Sequence, residues 1–497
     1  MSKSIIIIGA GMAGLSAGCY GRMNDYQTII FELHDKPGGL CTSWQRKGYT
    51  VDGCIHWLVG SGPGINFHQI WQELGAIQGR EYIDHEEFGR VQDPSGKALI
   101  IYTNVDRLEK HLLELSPADE KPIKEFTGAI RKFMDFDLPL GKPSELESIL
   151  DKAKTYYQMA PYLYPFVKWG KLSLEKFAKR FQDPFLRKSF SGVFGFPDFP
   201  MAALILTLAW MSKKTAGYPI GGSLEFARAI GKRYLDLGGK VWYKSRVEKI
   251  LTEDNCAIGI RLADGTEHRA DFVISAADGY ATIFKMLEGK YLDEEIKERY
   301  EKLPIFKSLV QVALGVNRDL SKEPSSVSYL LEKPITVAGE DHDKFSIMNY
   351  AFDPCLAPAG KTVLVCRFLS DINHWREMAR DQERYETEKQ KIADLVIGMV
   401  EQRYPGISEN VEMVDVATPL TFERYTGNWQ GSMEGWLMTT KTIMMRMKRT
   451  LPGLDNFFMI GQWVQPGGGL PPGALHGREI IQLICAQDQK QFTATKP

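Results

Sequence analysis

A run of four isoleucines followed at once by spaced glycines constrains the fold of this chain more than any other feature. Ile5–Ile8 lead into Gly9, Gly11 and Gly14. A short β-branched run bounded by glycine predicts a buried parallel strand, apolar on both faces. Glycines at this spacing allow a tight turn, a close approach of backbone to a pyrophosphate and close packing of the next helix. The sequence therefore predicts a dinucleotide-binding unit of the Rossmann type.

The helix and strand expected next support this prediction. A helix over residues 12–26 would direct its positive N-terminus at the phosphates. A strand over residues 27–31 then ends in Glu32, about 18 residues beyond the third glycine. A carboxylate at this distance can accept hydrogen bonds from a ribose that has a free 2′-hydroxyl.

Gly38 and Gly39 form a second glycine pair one short loop after Glu32. A nicotinamide-binding domain would continue directly into its next βα unit. A glycine pair here lets the backbone approach the same cofactor again, as a buried flavin adenine dinucleotide (FAD) requires. The alternative is an ordinary Pro-Gly-Gly turn.

Length and composition limit which classes of protein this chain can belong to. A chain of 497 residues is expected to form two or three domains, and its 44% hydrophobic and 25% charged residues are typical of globular proteins. The net charge of −1 gives no electrostatic footprint for nucleic acid. Seven cysteines without C-x-x-C spacing argue for a reducing compartment and against a structural metal. We expect a cytoplasmic protein, with peripheral binding to the inner face of the membrane left open.

The pattern typical of a Rossmann domain stops near residue 66 and resumes twice. We expect a discontinuous FAD-binding domain formed by residues 1–66, 219–290 and 441–490, and an α+β substrate-binding domain formed by residues 67–218 and 291–440. Strands of the first domain are predicted at residues 240–243, 247–251, 257–262, 266–269 and 272–275. The second domain is predicted to contain strands at residues 309–316, 346–350 and 362–368 and one long helix over residues 378–404.

Aromatic residues crowd into one segment of the predicted substrate-binding domain. They are Tyr156, Tyr157, Tyr162, Tyr164, Phe166, Trp169, Phe177, Phe181, Phe185, Phe190, Phe194, Phe196, Phe199 and Trp210. These residues could form the core of a helical domain, line an apolar tunnel, or form a surface that sits in lipid with Lys168, Lys171, Lys176 and Lys179 at the headgroups. The apolar run over residues 201–211 is too short to span a bilayer, but it could lie in one leaflet or in a core.

A glycine-rich loop near the C-terminus predicts a second helix N-terminus. A buried strand should end at Gly461-Gln462, and a helix should begin near Pro472 and run to about residue 486. Two helix N-termini in one fold suggest one extended ligand held at both ends. The pyrophosphate would bind at the first, and the reduced flavin at the second.

His56 is the first titratable side chain expected near the flavin ring. It follows a strand-like stretch that turns on glycines. It is either a hydrogen-bonded histidine in a packed loop or a direct contact to cofactor or substrate. Tyr425 is a weaker candidate for a catalytic role.

With these motifs the chain resembles the FAD-dependent phytoene desaturase, carotenoid isomerase and retinol saturase family of the amine-oxidase-like flavoproteins. The resemblance covers nearly the whole length and includes Gly38-Gly39, Asp52-x-x-Ile55-His56, Pro219-x-Gly221-Gly222-Ser223 and Pro466-Gly467-Gly468-Gly469. It implies that Val247 meets the adenine and that Gly473-Ala474 meets the flavin ring. Leu40 and Gln462 depart from the pattern, since relatives often have a basic or small residue at the first position and many have an acid at the second. The remaining predicted cofactor contacts are Ala13, Thr42, Trp57 and Ala276.

The resemblance implies hydride transfer between flavin N5 and a carbon of a long apolar isoprenoid, carotenoid or retinoid-like substrate. Desaturation, saturation and double-bond isomerisation all remain open, as does the external electron donor or acceptor. Two other classes are alternatives: a flavin amine oxidase, and a non-catalytic flavin- or lipid-binding protein.

Overall fold

A computed structural model describes residues 2–193 and 195–497 of the chain, and Phe194 lies outside the described residues. The strands are β1 (Ser4–Ile8), β2 (Gln27–Phe31), β3 (Ser43–Arg46), β4 (Tyr49–Asp52), β5 (Tyr82–Ile83), β6 (Glu87–Gln92), β7 (Ala98–Tyr102), β8 (Tyr218–Pro219), β9 (Lys240–Trp242), β10 (Val247–Glu253), β11 (Cys256–Leu262), β12 (Glu267–Arg269), β13 (Phe272–Ser275), β14 (Leu309–Val316), β15 (Ser326–Val337), β16 (Glu340–Asn349), β17 (Thr362–Leu369), β18 (Val411–Ala417) and β19 (Phe457–Met459). The α-helices are α1 (Met12–Met23), α2 (Asn66–Glu73), α3 (Val105–Leu115), α4 (Glu120–Phe133), α5 (Ile149–Gly170), α6 (Leu174–Ala178), α7 (Pro184–Ser191), α8 (Met201–Ser212), α9 (Gly222–Asp236), α10 (Glu294–Lys302), α11 (Ile372–Met378), α12 (Gln382–Arg403), α13 (Pro419–Thr426) and α14 (Leu470–Gln487).

A five-stranded parallel sheet contains the isoleucine run. Its order is β19-β13-β1-β2-β9, and both faces of β1 are buried. Ile5 and Ile7 pack with helices α1, α9 and α14, whereas Ile6 and Ile8 pack with strands β10 and β11. Strands β2 and β13 have the predicted bounds. Helix α1 ends at Met23, before the predicted residue 26, because Asp25 adopts a positive φ of 62° that an α-helix cannot accommodate.

A smaller antiparallel sheet lies beside the parallel one. It contains β10, β11 and β12 in that order, and the predicted hairpin turns at Asp264-Gly265. The Leu262 amide donates to the Thr266 carbonyl oxygen across this turn, at 2.9 Å.

A seven-stranded sheet forms the second large layer, in the order β18-β14-β17-β16-β15-β6-β7. Strands β6 and β7 come from a part of the chain where no strands were predicted. They pair with each other, and β6 also pairs with β15, more than 200 residues away. The predicted helix over residues 378–404 is α12, which begins at Gln382, and the separate short helix α11 precedes it. They separate because the Asp381 side chain caps α12 by accepting from the amides of Glu383 and Arg384.

The aromatic segment divides into a buried and an exposed part. Trp169, Phe177, Phe181 and Phe190 are buried in a helical core, and the apolar helix α8 packs in the same core. In contrast, α5 carries Tyr156, Tyr157 and Tyr164 on its solvent face, at 66%, 82% and 75% exposure. Within the described residues, no helix is both long enough and apolar enough to cross a membrane.

Candidate functional site

A cavity opens at the carboxyl edge of the parallel sheet, where ligands bind in folds of this kind. Several residues that directly follow strands meet in its wall, because the carboxyl ends of parallel strands lie side by side. Of the predicted cofactor contacts, the wall contains Gly9, Gly11, Ala13, Glu32, Gly38, Gly39, Leu40, Val247, Ala276, Gly461, Gln462 and Gly473.

The first glycine loop gives this wall its shape. Gly9 has a φ of +97°, and its amide donates to the Phe31 carbonyl oxygen at 2.8 Å. A Cβ atom at Gly14 would overlap the Gly9 carbonyl oxygen, so this glycine lets α1 pack tightly under the turn. A Cβ atom at Gly11 would meet nothing within 4 Å, which leaves backbone accessible from the cavity at the N-terminus of α1.

Glu32 is a buried carboxylate held by the backbone at the cavity wall. Its Oε2 accepts from the Ala10 amide at 2.6 Å, and its Oε1 accepts from the His34 amide at 2.8 Å. Burial raises its pKa, while these backbone donors act in the opposite direction. Each oxygen keeps further acceptor capacity, so the side chain suits a ligand with hydroxyl donors.

The second glycine pair packs against the first loop. The Gly38 amide donates to the Ala10 carbonyl oxygen at 2.8 Å, and a Cβ atom at Gly39 would lie 3.5 Å from the Gly11 Cα. The pair therefore extends one continuous backbone surface along the cavity.

The C-terminal loop closes the opposite side of the cavity. Gly461 has a φ of +98°, and Gln462 donates from Nε2 to the Asn428 Oδ1 at 3.1 Å. Gly473, in the first turn of α14, packs beside Met12 and Ala13 of α1. The two helices thus bring their N-terminal turns together at one cavity. Two helix N-termini, a backbone-lined trough and an acid at the end of β2 together fit FAD.

Two acids in the wall were not predicted, the buried Asp278 and the half-buried Glu434. Asp278 accepts from the amides of Ala281 and Trp429, at 2.7 and 2.8 Å, and burial raises its pKa to about 7. Glu434 has its pKa raised to about 7 by burial, and its carboxylate makes no hydrogen bond within the described part of the chain. Asp278 therefore holds the local backbone, whereas Glu434 is available to a ligand. The glycines around Glu434, at positions 431 and 435, were the available signal.

Other residues of the wall were also missed. They are Ile8, Met12, Phe31, Leu33, Cys41, Cys54, Ser245, Arg246, Ala277, Ala281, Lys285, Met286, Thr426, Gly427, Asn428, Met433, Trp463, Gly469 and Leu470. Many of them are neighbours of predicted residues, but those from 426–434 come from a segment that only the tertiary structure brings to the cavity.

Several predicted site residues lie outside this wall. Gly14 and Ala474 lie in the packed layer beneath it, where the Ala474 carbonyl oxygen accepts from Ser16 Oγ at 2.6 Å. Thr42 and Trp57 also do not line the cavity, and Trp57 packs edge-on against Phe88 at 5.3 Å.

The two predicted catalytic residues are not brought together. His56 lies beyond the cavity wall, with its Nε2 2.7 Å from Arg367 Nη1 and its Nδ1 3.4 Å from the Tyr350 hydroxyl. Burial and the Arg367 charge hold the pKa of His56 well below its usual value, so its ring is neutral. Tyr425 is 47% exposed and packs on His34, two residues beyond Glu32, at the side of the cavity predicted to hold the ribose.

The sequence pattern of one family, "Flavin containing amine oxidoreductase", matches residues 12–478. A prolycopene isomerase of Daucus carota is 25% identical over 97% of this chain and 80% of its own length. A lycopene-forming phytoene desaturase of Pseudescherichia vulneris is also 25% identical, over 97% of this chain and 99% of its own. Among solved structures, an oxidoreductase from Methanosarcina mazei has a TM-score of 0.60 at 18% identity and covers 96% of this chain and 100% of its own.

These similarities confirm three predictions. The fold is a Rossmann-type α/β domain interrupted by an α+β part, the cofactor is FAD, and the protein is an FAD-dependent oxidoreductase. The resemblance to the phytoene desaturase and carotenoid isomerase group is confirmed as well.

Proposed function

Because the chain belongs to the flavin containing amine oxidoreductase family, we propose that it acts on carbon–carbon bonds of a long apolar isoprenoid substrate. The observation that carries this proposal is the similarity to two carotenoid enzymes over nearly the full length of this chain. Those enzymes are named for the desaturation and the isomerisation of polyenes. Both reactions change a carbon–carbon double bond of the substrate.

The protein side chains and backbone would bind the cofactor, and one carboxyl would transfer a proton to or from the substrate. Bound FAD supplies hydride exchange with a substrate carbon. Glu32 would accept from ribose hydroxyls, and the first turns of α1 and α14 would place backbone amides toward the negative charges of the cofactor. Glu434 would give a proton to, or take one from, the carbon adjacent to the hydride site. Its carboxyl has no hydrogen-bond partner within the described residues and is half-protonated near pH 7.

The substrate would bind between the parallel sheet and the seven-stranded sheet, in the domain that we propose comprises residues 67–218 and 291–440. One face of the seven-stranded sheet is closed by α12, which packs on Val312 and Cys366. Its other face turns toward β4 and is therefore the face available to a ligand next to the cofactor.

Helix α5 would bring the protein to the lipid in which such a substrate dissolves. Ile149, Leu150, Tyr156, Tyr157 and Tyr164 recur at helical spacing on its exposed face. Lys152 and Lys154 lie beside this stripe and are exposed. Aromatic and aliphatic residues with adjacent lysines are typical of helices that lie in a bilayer interface. Of the lysines predicted to meet headgroups, Lys168 and Lys179 instead form ion pairs with Glu125 and Glu175.

The proposal is tested with the FAD-loaded protein under anaerobic conditions. We expect polyene substrates in lipid or detergent to change the visible absorbance of the flavin or to be converted to isomers, with products identified by chromatography and mass spectrometry. Bleaching by amines but not by polyenes would instead identify an amine oxidase. No response to either class would identify a non-catalytic flavin-binding protein. Both outcomes would contradict the proposal.

A further inference from the structure

A polar cluster formed by Gln311, Arg367 and His56 lies on the face of the seven-stranded sheet that packs against β4. Gln311 of β14 is paired directly opposite Arg367 of β17. Their neighbours Val312 and Cys366 point to the other face, where they pack with α12. Because side chains alternate along a strand, Gln311 and Arg367 point toward β4 and the loop that contains His56.

The three side chains are joined by hydrogen bonds. Arg367 donates from Nε to Gln311 Oε1 at 2.7 Å and from Nη1 to His56 Nε2 at 2.7 Å. Since His56 is neutral and accepts at Nε2, its proton is at Nδ1, facing the Tyr350 hydroxyl. His56 and Gln311 therefore fix the guanidinium but do not neutralise it.

Two donors of this cluster have no acceptor. Arg367 Nη2 and Gln311 Nε2 are both buried and have no hydrogen-bond partner within the described residues, and Gln311 is only 1% exposed. Among the described residues, no acidic side chain lies within ion-pair distance of Arg367. Asp52 acts on Arg367 only through space, because its oxygens accept from Ser223 Oγ and from the amides of Ser223 and Cys54.

The guanidinium has no ion-pair partner within the described residues, and each of the two buried donors, Arg367 Nη2 and Gln311 Nε2, loses its hydration without gaining an acceptor. A carboxylate would supply the missing charge and one acceptor oxygen for each of these two donors, and hydrogen bonds to a charged acceptor are the stronger ones. The cluster lies close to the cofactor cavity, since Cys54 lines that cavity two residues before His56.

We infer that Arg367 and Gln311 form a carboxylate subsite, and that the substrate is an isoprenoid or polyene acid and not a pure hydrocarbon. This inference rests on the proposed function for the apolar part of the substrate. The apolar chain would extend from the subsite toward the helical layer, with its oxidised end fixed at Arg367. His56 is then a positioning residue for the guanidinium.

The test compares two ligands with one carbon skeleton on the FAD-loaded protein, all-trans-retinoic acid and all-trans-retinol. Binding is measured by the change in the flavin visible spectrum during titration, so it does not depend on turnover. We expect the acid to bind at least about tenfold more tightly than the alcohol, which corresponds to about 1.4 kcal/mol. Equal affinities would overturn the inference, whether or not any polyene is converted.

Substitutions assign the preference to the cluster. Arg367→Met should weaken acid binding by about tenfold to a hundredfold and leave alcohol binding unchanged. Gln311→Leu keeps the charge but removes the Nε2 donor and the acceptor of Arg367 Nε, so it should weaken acid binding by several fold. It tests the inference if Arg367→Met does not fold. Arg318→Met changes an exposed arginine just beyond β14 and should have no effect. Unchanged acid affinity in both cluster variants would overturn the inference, as would loss of FAD from Arg367→Met, since the guanidinium would then serve the cofactor.

Discussion

The raised pKa of Glu434 leads to a quantitative prediction about the protonation of the cavity. Burial raises this pKa from 4.5 to about 7, which corresponds to roughly 3 kcal/mol in favour of the neutral carboxyl. At pH 6 a group with a pKa of about 7 is about 90% protonated, whereas one with the ordinary value would be about 3% protonated. Below about pH 4.5 the carboxyl is neutral in both the folded and the unfolded chain, so the group costs the fold no stability there. Stability is lost as pH rises from 4.5 through about 7, because the unfolded chain ionises this group at the lower pKa.

Infrared difference spectroscopy measures this directly on the FAD-loaded protein. The spectrum of wild type minus Glu434→Gln should contain a carboxylic acid C=O band that disappears with a midpoint near pH 7. Asp278→Asn identifies the contribution of the second buried acid, whose pKa is also raised to about 7. The same ionisation should appear in the pH dependence of substrate conversion by wild type and be absent from Glu434→Gln.

Two results would refute the reasoning. The first is a Glu434 band that has already disappeared at pH 5 to 6, which would mean that the carboxyl is hydrated and not buried. The second is an identical pH profile of conversion in wild type and Glu434→Gln, which would remove Glu434 from the proton transfer.

Three further predictions concern the cofactor and the membrane. Glu32→Ala leaves the amides of Ala10 and His34 without their acceptor and should weaken FAD binding by roughly 1–3 kcal/mol, measured by the fluorescence of released flavin. We expect the FAD to be bound non-covalently, so acid precipitation of the wild-type protein should release it completely. In Gly473→Val the added Cβ atom makes ordinary van der Waals contacts with Met12 and Ala13, so FAD should remain bound. Its visible spectrum should shift, its reduction potential should fall, and turnover should decrease at least about tenfold. An unchanged potential and turnover would contradict this prediction. The double variant Tyr157→Ser/Tyr164→Ser should no longer sediment with anionic liposomes. The control Tyr425→Ser, which changes an exposed tyrosine elsewhere, should still sediment. If the wild-type protein sediments with neither neutral nor anionic liposomes, α5 does not bind the membrane.

The sequence by itself determined the parallel sheet and the flavin class, because the signals for both are local. The isoleucine run, the spaced glycines and Glu32 lie within one βαβ unit, where strand, turn and helix depend on neighbouring residues. The same holds for β14, whose predicted bounds match the structure and whose residues are all buried. The hairpin at Asp264-Gly265 also follows from its own turn residues.

Only the tertiary structure decided which distant side chains meet. No local pattern pairs β6 with β15, and no spacing in the sequence places Arg367 beside His56, 311 residues away. Burial is likewise a property of the assembled fold, so the raised pKa of Glu434 and the exposure of Tyr157 could not be read from residue type. The cavity was therefore predictable where glycine loops form it, and unpredictable where long-range packing brings isolated polar groups into an apolar interior.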